Sequence, residues 1–249
     1  MKEINKILYL NISEISEVFH QKITEDEIEM YFEAGKINGL KIENEWHADQ
    51  EAIDHFVKNV VLKERSYNVG LHIIDLSDIK LDGRILDIGG GGRAIISQFK
   101  GEQVVAIDPN ENELKEAPDN KALKVIMNAK ELQFLDNTFD TVTAFFTFMY
   151  IPMEDFRIIF EEIRRVLKKG GHFVIWDVLM PKRGNDKRDI FFIELRVKLF
   201  DTIGNAGYGV SWNKEINPDT FTNLAKNIGF ETLERKVDND TIFIRFRKN

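Results

Sequence analysis

Ile85-Leu86-Asp87-Ile88-Gly89-Gly90-Gly91-Gly92 is the stretch whose reading decides the fold. It is an apolar run that carries one acid and breaks into four glycines. A short apolar run bounded by glycine reads as a buried strand. Ala94-Ile95-Ile96 then opens a helical pattern. Glycines at a strand-to-helix turn tolerate positive φ and let a ligand approach the backbone. The free N–H groups of the next helix favour a negatively charged ligand group. The stretch therefore points to a nucleotide-like cofactor at the edge of a parallel sheet.

Outward from this turn, strand-like and helix-like segments alternate. Strands are expected over 84–88, 103–108, 123–127, 141–146 and 171–177, with helices over 94–99, 112–117 and 153–167 between them. Such alternation implies a parallel sheet with crossover helices. Past Pro181, a helix over Ile190–Ile203, a glycine-rich segment from Gly204 to Gly209 and a helix over Asp219–Ile228 are expected. Two final strand-like runs, 231–237 and 241–247, flank Asp238-Asn239-Asp240 and read as a terminal antiparallel hairpin.

Residues 1–63 differ in character and read as a separate, mainly helical domain, with 64–249 as the second. They hold seven lysines, no arginine and thirteen acids, a net of 7 − 13 = −6. Helices are expected over 11–19, 24–34 and 48–67, with a small hairpin formed by 36–42 and 45–47. Thr24 with Glu27 makes a capping-box pattern. The whole chain carries −8, which argues against a long-range pull toward nucleic acid. No cysteine is present, so disulfides, thiolate metal sites and cysteine nucleophiles are excluded. The five histidines show no metal-ligand spacing. The first residues lead into no signal-type apolar core, and the apolar segment from Val142 to Met153 is too short for a membrane helix. A cytoplasmic protein is expected.

The region from about residue 66 to the end resembles class I S-adenosylmethionine-dependent methyltransferases. Three blocks carry the resemblance, in order. The first is Ile85 to Arg93. The second is Val104-Val105-Ala106-Ile107-Asp108-Pro109. The third is Asn128-Ala129-Lys130-Glu131-Leu132-Gln133-Phe134-Leu135-Asp136-Asn137-Thr138-Phe139-Asp140. Val166 to Ile175, with Gly170-Gly171, resembles the helix end, turn and fifth strand of that family. The resemblance implies a Rossmann-like α/β fold, with a seven-stranded, mostly parallel sheet that ends in an antiparallel hairpin. It implies S-adenosylmethionine as cofactor, held by Asp87, Gly89, Gly90, Gly91, Asp108, Pro109, Asn128, Ala129 and Phe145. Asp108 would hold the ribose hydroxyls, since a carboxylate accepts both protons. Asn128 stands where an acid contacts the adenine edge in the family. Arg93 departs from the pattern, which carries a third glycine there.

Other readings stay open. Gly89-x-Gly91-x-x-Ala94 also satisfies the dinucleotide pattern, with Asp108 as its ribose acid. A nicotinamide oxidoreductase is the competing enzyme, against which Asp87, Phe139-Asp140 and Gly170-Gly171 count. Phe145 falls where amino-methyltransferases of nucleic acids carry Asp/Asn-Pro-Pro-aromatic, and Phe cannot polarise an amine. Tyr150, Asp177, Tyr208 and Trp212 are candidates for an acceptor pocket. No catalytic base stands out.

Leu10 to about Val57 resembles the winged helix-turn-helix domains of excisionase and MerR type, through the 15–19 helix, Glu33-Ala34-Gly35-Lys36-Ile37 and Lys41-Ile42-Glu43-Asn44-Glu45-Trp46-His47. Its would-be recognition helix opens with Glu25, Asp26, Glu27 and Glu29, which phosphates repel. Dimerisation or partner docking suits that domain better than DNA. The expected function is methyl transfer to a small-molecule acceptor. A non-catalytic cofactor-binding regulator is a further alternative.

Overall fold

The computed structural model describes residues 2–19, 23–199 and 202–249. The chain divides into two compact units, Met1–Asn68 with Asn185–Phe192, and Val69–Gly184 with Ile193–Asn249.

In the first unit the order is β1 (Lys2–Ile4), β2 (Ile7–Asn11), α1 (Ile12–Val18), α2 (Glu25–Glu33), β3 (Leu40–Ile42), β4 (Glu45–Asp49) and α3 (Gln50–Phe56). A π-helical segment, Val57–Arg65, continues α3. Capping boxes start two of the helices. Asn11 pairs reciprocally with Glu14 at 2.9 and 3.0 Å, and Thr24 with Glu27 at 3.3 and 2.8 Å. Ile15, Ile28, Phe32, Ile53 and Phe56 fill the core, and Trp46 stacks on Phe32 at 5.1 Å. The strands form an antiparallel sheet in the order β1-β2-β4-β3. This corrects the expectation of helices with a lone hairpin. Ile4, Ile7 and Leu8 are exposed, so β1 and β2 carry no alternation to betray them.

Past β5 (Ser66–Asp75), strands and helices alternate: β6 (Ile85–Ile88), α4 (Ile95–Lys100), β7 (Val104–Asp108), α5 (Glu111–Glu116), β8 (Leu123–Ile126), β9 (Phe139–Phe145), α6 (Phe156–Val166) and β10 (Leu167–Val178). Then come β11 (Ile190–Leu199), β12 (Thr202–Ser211), α7 (Pro218–Ile228), β13 (Phe230–Asp238) and β14 (Thr241–Lys248). Seven strands make one sheet in the order β13-β14-β10-β9-β6-β7-β8. The five from β8 to β10 run parallel, and β14 is antiparallel to both its neighbours. From β6 the chain steps one way to β7 and β8, then returns to place β9 on the other side. The reversal opens a crevice at the carboxyl ends of β6 and β9, where open α/β sheets bind ligands.

One face of α6 buries Phe156, Ile159, Phe160, Ile163 and Val166, spaced at helical period. Phe160 lies at the centre of an aromatic cluster, 5.5 Å from Phe148, 5.1 Å from Phe173 and 6.3 Å from Phe246.

The helix expected over Ile190–Ile203 is not formed. Phe191, Ile193, Leu195, Val197 and Leu199 are buried, while Glu194, Arg196 and Lys198 are exposed. That is a period of two, so the segment is strand β11. The glycine-rich stretch lies in β12, and the sheet order is β12-β11-β5. Phe200 and Asp201, also within the expected helix, lie outside the described residues. The helix expected to reach residue 67 ends at Arg65, and Tyr67 belongs to β5.

Phe160→Ala should lower stability by about 3–5 kcal/mol through cavity formation. Urea unfolding should show a lower midpoint at unchanged slope. An unchanged midpoint would refute the central place of Phe160.

Candidate functional site

The turn after β6 is built by fit as well as by backbone freedom. Gly89 has φ +71°, and a Cβ there would lie 2.5 Å from Thr147 Cγ2. Thr147 itself donates to Ile88 O at 2.9 Å, so it cannot retreat without losing that bond. Gly90 faces Ala106 and Asp87, which a Cβ would approach to 2.7 and 2.9 Å. The N–H groups of Gly89 and Gly90 both donate to Ile107 O, at 2.9 and 3.0 Å. Gly91 lies against Asp108, whose Oδ2 would stand 3.1 Å from an added Cβ. Gly91 to Ala94 then closes as a tight turn, with Ala94 N donating to Gly91 O at 3.0 Å. Arg93 is exposed at this turn.

Asp87 is 3% exposed at the end of β6. Thr143, its neighbour on β9, donates Oγ1–H to Asp87 Oδ1 at 2.7 Å. Burial pushes the Asp87 carboxyl up to about 7, opposed by the Thr143 hydrogen bond and aided by the Asp108 charge. Asp108 closes β7 and is half-buried. Burial raises its carboxyl, and the N–H groups of Asn110, at 2.8 Å, and Gly91 pull it back. Two acids on adjacent strands thus flank one glycine turn. Pro109 follows, exposed.

The segment after β8 joins this rim. Met127 N donates to Asp108 O at 3.1 Å. Asn128 is exposed and folds its Oδ1 onto Lys130 N at 3.0 Å, while Ala129 is buried. From α6, Arg165 holds the carbonyls of Leu132 and Phe134, both at 2.7 Å, and Glu162 accepts from Leu132 N at 2.7 Å.

Phe145 is buried at the end of β9, 5.0 Å from the Phe146 ring and 5.7 Å from Trp176. Asp177 is fully buried and faces backbone. Its Oδ2 accepts from Phe148 N at 2.8 Å and its Oδ1 from Val178 N at 2.9 Å. Lys214 completes the clamp, donating to the carbonyls of Phe148, at 3.0 Å, and Ile151. Burial pushes Asp177 up to about 7 and Lys214 down to about 8. Together they fix the loop after β9, which presents Tyr150 as an exposed side chain. Trp212 is 3% exposed and donates to Pro181 O at 2.6 Å, so it packs rather than lining the mouth. Tyr208 stacks on Phe146, 5.4 Å apart and 11° from parallel.

The structure therefore gathers Asp87, the glycines, Asp108, Asn128 and Ala129 along one rim, with Phe145 buried behind it. Glu113, Thr143, Thr147, Arg165 and Lys214 were missed by sequence reading. Their partners lie far along the chain, Glu113 against Gly91 and Gly92 among them, so no local spacing marks them. Among the described residues no group of acids and histidines could hold a metal ion, and no helix is long and apolar enough to cross a membrane.

A seven-stranded sheet reversing at β6 and β9, with acids closing β6 and β7, is the Rossmann-like fold of class I S-adenosylmethionine-dependent methyltransferases. Residues 86–175 match the methyltransferase domain family. A sterol 24-C-methyltransferase of Kluyveromyces lactis is 30% identical over 175 residues, 65% of this chain and 44% of that protein. The chain thus spans less than half the length of that relative. A ubiquinone/menaquinone biosynthesis C-methyltransferase of Idiomarina loihiensis is 27% identical over 184 residues, 66% of this chain and 72% of that one. A solved S-adenosylmethionine-dependent methyltransferase of Methanosarcina mazei shares the fold with a TM-score of 0.50. It is 18% identical, and the match covers 68% of this chain and 94% of that one. Residues 86–175 are thus similar to a methyltransferase domain, and the fold is that of a solved S-adenosylmethionine-dependent methyltransferase.

Asp87 makes the site's protonation testable through stability. Its carboxyl ionises near 3.8 when unperturbed and near 7 when buried. Between those values the folded state keeps a proton that the unfolded chain has released, so the contribution of this group falls as pH rises. Asp87→Asn removes that loss. The stability of the variant relative to wild type should grow from pH 4 to pH 7, by up to about 4 kcal/mol, and then level off. Urea unfolding across that range measures it, and a pH-independent difference would contradict the assignment.

Proposed function

We propose that the protein transfers the methyl group of S-adenosylmethionine to a small-molecule acceptor. One observation carries this reading: Asp87 and Asp108 bracket a glycine turn in which a Cβ at Gly90 or Gly91 would lie within about 3 Å of a carboxylate. That cradle fits a nucleoside whose far end carries positive charge. Asp108 accepts the ribose hydroxyls. Asn128 and Ala129 meet the adenine edge, with Phe145 behind them and Pro109 at the rim. Gly89, Gly90 and Gly91 give the methionyl end close access to backbone, and Asp87 sits beneath it.

When bound, the cofactor supplies an electrophilic methyl group on a sulfonium. The chain's own work is to position and to exclude water. In-line attack in a preformed site gains most of its acceleration from proximity and orientation. A dedicated base is needed only for an acceptor protonated at working pH. The net charge of −8 supports a small-molecule acceptor over nucleic acid. The sterol and quinone-pathway relatives support the same class. We read the first unit as a winged-helix-like accessory module of a cytoplasmic protein, suited to pairing with a second copy and too acidic on α2 for DNA.

Calorimetric titration should show saturable binding of S-adenosylmethionine and none of reduced nicotinamide dinucleotide. Asp108→Ala removes hydrogen bonds to a charged group and should weaken binding roughly 10- to 100-fold. Undetectable binding to the wild-type protein, or selective binding of the dinucleotide, would overturn the reading.

A further inference from the structure

Tyr208 belongs to β12, outside the seven-stranded sheet. Its ring nevertheless lies on Phe146, the residue directly after β9. Phe146 is itself held in place. Its backbone is left-handed, φ +51°, and its N–H donates to Trp176 O at 2.8 Å. The Tyr208 ring is therefore anchored above the carboxyl end of β9. Its hydroxyl end lies where the charges of Asp87, Arg93 and Glu113 act on it. Asp87 lies one residue before the end of β6, Arg93 belongs to the glycine turn, and the Glu113 carboxylate would stand 2.7 Å from a Cβ at Gly92. The ring thus lies at the carboxyl end of β9, with its hydroxyl within the field of charges carried by β6 and the glycine turn.

We propose that Tyr208 is a binding residue that walls the amino-acid end of S-adenosylmethionine. This rests on the proposed function, which sets the ribose on Asp108 and so directs the methionyl end toward β6 and β9. At that end the chain offers both signs of charge, Arg93 for a carboxylate and Glu113 for an ammonium. Arg93 makes no ion pair among the described residues. A ring lying against the methionyl stem and a hydroxyl beside these charges restrict how the sulfonium is presented.

The test compares binding of S-adenosylhomocysteine, the demethylated full-length form of the cofactor, with binding of 5′-methylthioadenosine, which keeps the nucleoside and the neutral sulfur and lacks the amino-acid end. Tyr208→Ala should weaken the full-length form about tenfold and the truncated one less than about threefold. Tyr208→Phe, which keeps the ring, should weaken the full-length form about threefold. Ile203→Ala, exposed on the same strand, should change neither. If wild type binds neither ligand, the functional reading fails. If wild type binds both and the Tyr208 variants lose nothing, or lose equally on both, the assignment of Tyr208 fails alone. Hydroxyl-radical footprinting of the wild-type protein gives a measure free of folding defects. The cofactor should reduce oxidation of Tyr208 severalfold and leave Tyr9 unchanged, and equal oxidation with and without it would overturn the assignment.

Discussion

The hydrogen bond from Thr143 to Asp87 joins β6 to β9, the two strands between which the sheet reverses. A carboxyl group buried this deeply costs several kcal/mol unless it is bonded or neutral. Thr143 supplies the bond, and the raised ionisation of Asp87 supplies much of the neutrality at moderate pH. Across β7, Ala106 is paired with Asp87, and its small side chain leaves room for Gly90 to fold back. The glycine turn, its two bonds to Ile107 O and the tilt of Asp108 toward Gly91 all follow from holding that acid at the strand end. Replacing it with an apolar residue would satisfy the core and remove the carboxyl group from beneath the crevice.

Two irregular segments border the crevice, and each is held by long side chains from elsewhere. Buried or half-buried backbone groups need partners whether or not a helix or strand supplies them. For the loop after β9, Asp177 takes N–H groups and Lys214 takes carbonyls. For the segment after β8, Arg165 takes carbonyls and Glu162 an N–H. The division of labour is the same on both sides: an acid collects donors and a cation collects acceptors. Asp177 and Lys214 also compensate one another's burial, which neither would tolerate alone. Loops fixed in this way can carry ligand contacts without secondary structure of their own.

Much of the second unit was legible because parallel strands buried on both faces read as continuous apolar runs. Ile85–Ile88 and Val104–Asp108 are such runs, each ending beside an acid or a glycine that marks the rim. The same logic hid β1 and β2, whose apolar side chains face outward and leave no periodic trace. Asp177 was legible as an acid at a strand end, and its purpose was not. Nothing near it in sequence shows that its partners are the amides of Phe148 and Val178. Glu113 and Lys214 were invisible for the same reason: their meaning is set by packing between segments far apart in the chain.

The misread segment is the instructive one. Ile190–Leu199 contains enough apolar residues to suggest a helix, yet its burial alternates at every position from Phe191 onward. Apolar content alone suits either a helix or a strand, and the period of two decides for the strand. The segment that follows, Gly204 to Gly209, is rich in glycine and shows no strand pattern in sequence. Its glycines lie instead within β12. Tyr208 stands between two of them, a large ring in a run of small residues, and it is the residue that reaches Phe146. A fold shared with other methyltransferases is carried by patterns any such chain must keep. The wall of this crevice is carried by a strand outside that sheet, so its contribution had to be seen in three dimensions.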